Sequence, residues 1–552
     1  MIINIYRYFR LGLISISFIG VLLLGFEVFF SVTNSSRPDF WPNDTDAPYQ
    51  DMSSGLFSGY VHEDNPDYEK MKAKGGALCD FDLDGDLDLY YGYVNSYYFE
   101  NYGGVFKDKT NEYNIDDSGC RGVIVGDMDN NGYSDILKWR FLSTGQPDID
   151  CSNYDYETIC TDNTSCYWEQ DDCLNTSESE MMPHNLLMND GSNTFITKSF
   201  LPPYELTFLH SLGIIDADLD GDLDIVAIQE EDDDQFMLFL NDGLDGSGTL
   251  SFLKVFSYYR NYGDVSSSRM IAISDYDNDG DQDVYVGRKY GYNWLFENQT
   301  LTAINDNLVY NPNPDPFFIE KAVELGISDE FINEVGSMGY GASWGDYDND
   351  QDFDLYLANW GRNRLFINQS QSFVNVADAQ NLESDELSNG VSWADYNNDG
   401  LLDLWASSIR NSDDVYINMG DGIWDTTSSP YFLSASQDII SGDIDNDGWL
   451  DVFAPGLQMQ NGPPGAKYTS LLYNNITEDS SLTNNWMKIK LEGRKYSITN
   501  DGWSKFANIS AIGARIILHL QDRDLMREVI GGTGHGNMQP LQLHFGLNSN
   551  LS

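Results

Sequence analysis

The sequence predicts an all-β fold: a seven-bladed β-propeller with acidic hairpin loops, followed by a small C-terminal β domain. Three observations lead there. The motif Asp-x-Asp/Asn-x-Asp/Asn-Gly-x-x-Asp occurs seven times with one departure, each copy lies between two short apolar runs, and a third run ending in Asn follows each pair. The copies begin at Asp80, Asp127, Asp216, Asp275, Asp346, Asp395 and Asp443, so the spacings are 47, 89, 59, 71, 49 and 48 residues. A constant base period with the excess length confined to loops is how a propeller blade or solenoid unit reads in sequence.

From the N-terminus, Arg7 and Arg10 precede the uncharged stretch Leu11–Phe26, and no further Lys or Arg occurs until Arg37. A basic segment followed by an apolar one is an export signal, and the charge bias leaves the N-terminus in the cytoplasm and the rest of the chain outside. Residues 1–34 are read as a signal peptide or an uncleaved membrane anchor. Six cysteines suit an oxidising compartment: Cys79, Cys120, Cys151, Cys160, Cys166 and Cys173. Four of them fall in a polar insertion, residues 143–183, where two local disulfide bonds are expected, with Cys79 and Cys120 either paired or free. The chain holds 30 Lys and Arg against 88 Asp and Glu, a net charge of −58. Such a surface repels phosphate and excludes nucleic acid as a partner. A hydrophobic fraction of 41% supplies a packed core, so the acidity does not signal disorder.

In every loop, positions 1, 3, 5 and 9 bear oxygen. They are Asp80, Asp82, Asp84 and Asp88; Asp127, Asp129, Asn131 and Asp135; Asp216, Asp218, Asp220 and Asp224; and Asp275, Asp277, Asp279 and Asp283. The last three loops present Asp346, Asp348, Asp350 and Asp354; Asp395, Asn397, Asp399 and Asp403; and Asp443, Asp445, Asp447 and Asp451. Calcium takes about six to eight oxygen ligands, and alternate residues of a tight loop can turn their carboxylates inward together. Position 7 varies from Asp86 to Tyr133, Leu401 and Trp449, so it can serve only through its backbone carbonyl. Up to seven calcium ions are expected. Without them the converging carboxylates repel one another. Gly at position 6 permits a positive φ, and Gln351 breaks this rule in the fifth loop. An EF-hand is disfavoured because position 12 is never Glu and the flanks read as strands.

A fourth strand starts at an aromatic residue, Phe106, Phe195, Phe252, Phe318, Phe373 or Trp424, in six repeats. The seventh repeat lacks one. A strand near Tyr49 is expected to complete its sheet and close the ring, making residues 47–480 one propeller.

The hairpins resemble the FG-GAP/VCBS repeats of integrin α-subunit propellers and of many bacterial surface proteins. Trp486–Gly493, Ser510–Arg515 and Leu543–Leu547 resemble the ASPIC/UnbV domain that follows such propellers in cartilage acidic protein and its microbial relatives. Residues 484–552 are assigned to that β domain. Gly531-Gly-Thr-Gly-His-Gly536 lacks a following Lys-Ser/Thr and reads as a turn, and His519, His535 and His544 read as structural.

With no G-x-S-x-G or H-E-x-x-H motif, the expectation is a protein without enzymatic activity: an exported calcium-binding module for adhesion to an extracellular protein or glycan. The alternative is a propeller-scaffolded enzyme acting on polysaccharide.

Overall fold

The computed structural model describes residues 74–139, 185–199, 209–304, 307–428, 436–456, 485–493 and 508–548, apart from short interruptions. It also describes the strand backbone at 2–6, 26–37, 49–51, 166–169, 172–175, 471–475, 482–484, 495–496 and 505–506. Most of the cysteine-rich insertion and the stretch from Leu11 to Gly25 lie outside the described residues.

The fold is an all-β propeller. Six antiparallel four-stranded sheets are each made of strands in chain order, the first being Gly75–Cys79, Asp88–Gly92, Ser96–Asn101 and Phe106–Asp108. Seven blades were expected, the last of them completed by a strand near Tyr49; six sheets are built from strands in chain order, and the last repeat does not complete a sheet from its own strands. Ile440–Gly442, Asp451–Ala454 and Leu471–Asn475 take their outer partner from the other end of the chain, where Tyr49 pairs with Asn475. The first strands of successive sheets touch in cyclic order, and Ile440–Gly442 adjoins Gly75–Cys79.

These strands are buried on both faces, which is why their sequences are continuous apolar runs rather than alternating ones. Val226, Ile228, Phe236 and Leu238 of the third sheet pack on Val284, Val286, Trp294 and Phe296 of the fourth, with Phe236 and Phe296 stacked at 4.2 Å. Leu78, Leu89, Tyr91 and Phe99 of the first sheet pack on Ile440, Ile444 and Phe453 of the composite one, so one apolar seam joins the two ends of the ring.

A second device joins the sheets. The Asn that ends each third strand donates from its side chain to the carbonyl of loop position 2 in the preceding repeat. Asn189 reaches Phe81 O at 2.9 Å, Asn241 Met128 O at 3.0 Å, Asn298 Ala217 O at 3.0 Å, Asn368 Tyr276 O at 2.9 Å and Asn418 Tyr347 O at 2.8 Å. Asn101 makes the same bond to Ile444 O of the last repeat, at 2.8 Å. The side chain of the equivalent Asn474 lies outside the described residues.

The C-terminal strands lie on the loop face. Leu482–Gly493 pairs with Gln542–Asn548, and Arg515–His519 with Asp524–Glu528. Phe26–Arg37 runs antiparallel to Leu482–Gly493, and Ile2–Tyr6 to Arg515–His519. Among the described residues no helix is long and apolar enough to cross a membrane.

The glycine-rich segment does turn, but it does so inside the ring. Gly531 O accepts from Ile214 N at 2.9 Å, Gly536 O from Val123 N at 2.8 Å, and Asn537 Oδ1 from Gly76 N at 2.8 Å. These donors sit on the first strands of three sheets, so the segment fills the centre where those strands converge. A Cβ on Gly531 would fall 1.7 Å from Ile214 O. Gly531→Ala is therefore expected to destabilise the protein by about 2 kcal/mol through overpacking, measured as a lower urea midpoint.

Cys79 and Cys120 are both buried thiols, and no disulfide joins them. Burial pushes the Cys79 thiol up to about 12, which keeps it protonated and inert.

Candidate cation-binding face

Each loop is organised by its own carboxylates. In the fourth, Asp275 Oδ1 accepts from Asp279 N at 3.0 Å and Oδ2 from Gly280 N at 3.1 Å, while Asp279 Oδ1 accepts from Asp281 N at 3.1 Å. The sixth repeats this, with Asp399 N and Gly400 N on Asp395 at 3.0 and 2.9 Å. Position 6 has φ between 90° and 102° in the six loops with glycine, and Gln351 is held at 75°. Position 4 is left-handed as well, with φ of 56° to 63° at Leu83, Asn130, Leu219, Asn278, Asn349, Asn398 and Asn446. Asn tolerates that conformation, and here it also bridges. Asn130 reaches Asp222, Asn278 reaches Asp352 and Asn446 reaches Asp86, each a position-7 side chain of the next loop around the ring.

Position 9 is the hairpin's backbone anchor. Asp88, Asp135, Asp224, Asp283, Asp354 and Asp403 each accept from the backbone N–H of the strand-ending Asn at 2.8 to 2.9 Å. All but Asp354 also accept from position 2, as Ala217 N does to Asp224 at 2.8 Å, and Asp451 accepts from Ile444 N at 2.8 Å. A carboxylate oxygen has two lone pairs, so these bonds leave capacity for a metal.

In at least five loops three of the four expected ligands converge. Oxygens of Asp80, Asp82 and Asp84 lie within 4.8 Å of one another, as do those of Asp127, Asp129 and Asp135. The same holds for Asp216, Asp218 and Asp220; for Asp275, Asp277 and Asp279; and for Asp346, Asp348 and Asp350. In the sixth and seventh loops, burial and then Asp399 raise the pKa of Asp395, and burial, then Asp445 and Asp443, raise that of Asp447. Several of the oxygens are buried with no hydrogen-bond partner: Asp80 Oδ1, Asp218 Oδ1, Asp443 Oδ1 and both oxygens of Asp346. Such atoms cost free energy unless something positive meets them. The donor set, all hard oxygen in compact loops, fits calcium.

Burial, reinforced by neighbouring carboxylates, pushes Asp277, Asp346, Asp395 and Asp447 up to about 7 and Asp279 to about 9, from an ordinary value of 3.8. The native state then binds more protons than the unfolded state between those values, and stability falls as pH rises through that window. Metal-free protein is thus expected to melt at higher temperature at pH 5 than at pH 8. With calcium present the order should weaken or reverse, because the metal needs ionised carboxylates. A pair of pH series, in EDTA and in calcium, checks this.

The C-terminal segment reaches every loop. Lys490 Nζ lies 3.0 Å from Asp80 Oδ2, Lys488 Nζ 2.8 Å from Asp443 Oδ2, and Arg515 Nη2 3.1 Å from Asp275 Oδ2. Other loops receive neutral contacts. Ser510 Oγ accepts from Asp127 N at 2.8 Å, Asn508 Nδ2 is 3.4 Å from Asp216 Oδ2, and Gly546 N donates to Asp395 Oδ2 at 3.0 Å. In the fifth, Gln351 Nε2 donates to Asp524 at 3.2 Å, and the buried Arg527 lies near enough to Asp346 to oppose the rise of its pKa. A cavity of about 120 Å³ remains between this segment and the last three loops, lined by Asp346, Asp395, Asp443, Lys488 and Arg527 among others.

These basic residues were missed in the sequence, although a signal was there. Residues 482–552 hold eight Lys and Arg against five Asp and Glu, a net +3 in a chain of −58. Of the histidines, His544 Nε2 bonds Gly448 O at 3.1 Å, and His519 Nδ1 lies 2.7 Å from Asp524, a carboxylate partner within its own hairpin. His535 lies outside the described residues.

The fold and its loops define a propeller built from acidic hairpin repeats and covered by a C-terminal segment. The chain carries FG-GAP-like repeats followed by an ASPIC and UnbV domain. The model of the FG-GAP-like repeat matches residues 216–286, 346–406 and 395–454, and that of ASPIC and UnbV matches 505–551. No curated protein matches the chain. Among solved structures, an Agrocybe aegerita lectin that recognises non-reducing terminal N-acetylglucosamine is 12% identical, with a TM-score of 0.39 over 75% of this chain and 98% of its own. BBS1N in complex with ARL6DN gives 9%, 0.36, 74% and 94% in the same order. Saccharomyces cerevisiae Sqt1 gives 11%, 0.35, 73% and 96%. Likenesses at this level bear on neither ligand nor mechanism.

Proposed function

We propose that the chain is an exported, calcium-loaded propeller that binds an extracellular protein or glycan through the surface its C-terminal domain leaves open. In this reading the composite sheet is the seventh blade, and residues 484–552 are a β domain that caps the loop face. The carrying observation is the set of converging carboxylates with buried, unpartnered oxygens at Asp80, Asp218, Asp346 and Asp443. Positions 1, 3 and 5, with the carbonyl of position 7, would hold each ion, and the ion would supply the charge that lets the loop stay closed. Position 9 would orient the hairpin beneath it.

The binding role is supported by what the chain already occupies. Its own glycine-rich segment lies where the first strands converge, and its own basic strands lie on the loops. A partner is then left with the opposite face and the rim. Export rests on Arg7, Arg10 and the apolar run after them. The test is to probe arrays of glycans and of extracellular proteins with the calcium-loaded protein. Saturable binding to one class supports the reading. Turnover of labelled polysaccharide without retained binding would replace it with the enzymatic alternative.

A further inference from the structure

We propose that Lys490, Arg515 and Lys488 are resident cations that divide the loops into two affinity classes. The loops starting at Asp80, Asp275 and Asp443 hold a divalent cation more weakly than those starting at Asp127 and Asp216. This rests on the calcium reading above and deepens it.

The seven loops share one ligand pattern, so differences between them come from what touches them. At Asp80 and Asp443 the geometry is the same: a lysine ammonium sits on Oδ2, at 3.0 and 2.8 Å, while Oδ1 is buried and without a hydrogen bond. One carboxylate is thus shared between the C-terminal segment and the loop's own cluster. At Asp275 the guanidinium of Arg515 lies on Oδ2 and also bonds the Asp275 carbonyl at 2.6 Å and Asn278 Oδ1. The equivalent contacts at Asp127 and Asp216 come from a hydroxyl and an amide side chain, neither of which carries charge.

Two consequences follow from Coulomb's law. A divalent ion on the shared carboxylate meets a positive charge across it, which weakens the ion by about tenfold even at the high effective dielectric of a protein surface. The same positive charge partly neutralises the cluster when no ion is bound, so these three loops keep the C-terminal segment docked on metal-free protein. Ion binding and docking at these loops are then reciprocally linked. The fifth and sixth loops belong to neither class, since Gln351 alters the fifth, the buried Arg527 faces both Asp346 and Asp395, and Arg523 Nη1 bonds Asp399 O at 3.4 Å.

The test uses the full chain, stripped with EDTA, dialysed and titrated calorimetrically with calcium chloride. The wild type is expected to bind in two phases. Lys490→Gln keeps a hydrogen-bond donor and removes the charge. It should move one site into the tight phase with an affinity gain of about tenfold, and Lys488→Gln should do the same at Asp443. Lys490→Arg should behave as wild type, and Asn508→Ala should leave the populations of the two phases unchanged. Lys490 is partly exposed, with 32% of its side chain accessible, so its variants are the ones expected to fold. An unchanged or weakened site in Lys490→Gln, with calcium still bound at the other loops, overturns the inference alone. A wild-type protein that binds no calcium overturns the calcium reading itself.

Discussion

EDTA is expected to lower the melting temperature of the protein by about 10 °C, and magnesium is expected not to restore it. Each filled site contributes roughly 2.7 kcal/mol when free calcium is a hundredfold above its dissociation constant, and several sites together contribute on the order of 10 kcal/mol. For a unit of this size each kcal/mol is worth about 1 °C. The loss arises where Asp80, Asp82 and Asp84, and their counterparts in at least four other loops, place oxygens within 4.8 Å of one another. Magnesium demands a tighter octahedron and gives up its water reluctantly, so loops shaped for a larger ion do not suit it. Differential scanning calorimetry in calcium, EDTA and magnesium measures all three states. Equal melts in calcium and EDTA would mean that the loops are not metal sites.

The second large effect is expected at the Asn that ends a third strand. Asn418→Ala should cost about 3 kcal/mol, because it removes three hydrogen bonds and leaves buried carbonyls unpaired. Its Nδ2 donates to Tyr347 O at 2.8 Å and Leu402 O at 3.1 Å, and its Oδ1 accepts from Gly420 N at 2.9 Å. Asn101→Ala should cost a similar amount while loosening the seam between the first and last repeats, since its partner is Ile444 O. Urea unfolding reads both. A change within about 0.5 kcal/mol at either position would show that the apolar seams alone hold neighbouring sheets together.

Those asparagines illustrate what the sequence makes legible. Their recurrence at the end of every third run was plain, but their partners were not, because the bonds span 71 to 343 residues and no local pattern encodes them. The hairpins were legible because every determinant lies within nine residues: alternate oxygens, the position-6 glycine and the flanking apolar runs. Even there position 4 was hidden, since Leu83 and Leu219 occupy a left-handed conformation that their identities do not announce. Six blades built from consecutive strands follow from that local grammar, and the composite sheet breaks it by borrowing Tyr49–Asp51.

The C-terminal segment was legible as strands but not as a cap. Nothing in Lys490 points to Asp80, 410 residues away, except the excess of basic residues in an otherwise acidic chain. Gly531 and Gly536 were readable as a turn; that the turn would sit among the first strands required knowing which carbonyls stood in the way of a Cβ. Long-range packing decides such features, and a single sequence records only its compositional shadow.

The most direct test of the cation account is a metal count on protein purified gently and never exposed to chelator. Elemental analysis by mass spectrometry, normalised to protein concentration, is expected to find several equivalents of calcium per chain and little magnesium. A preparation that is folded and monodisperse yet carries no calcium would contradict the account.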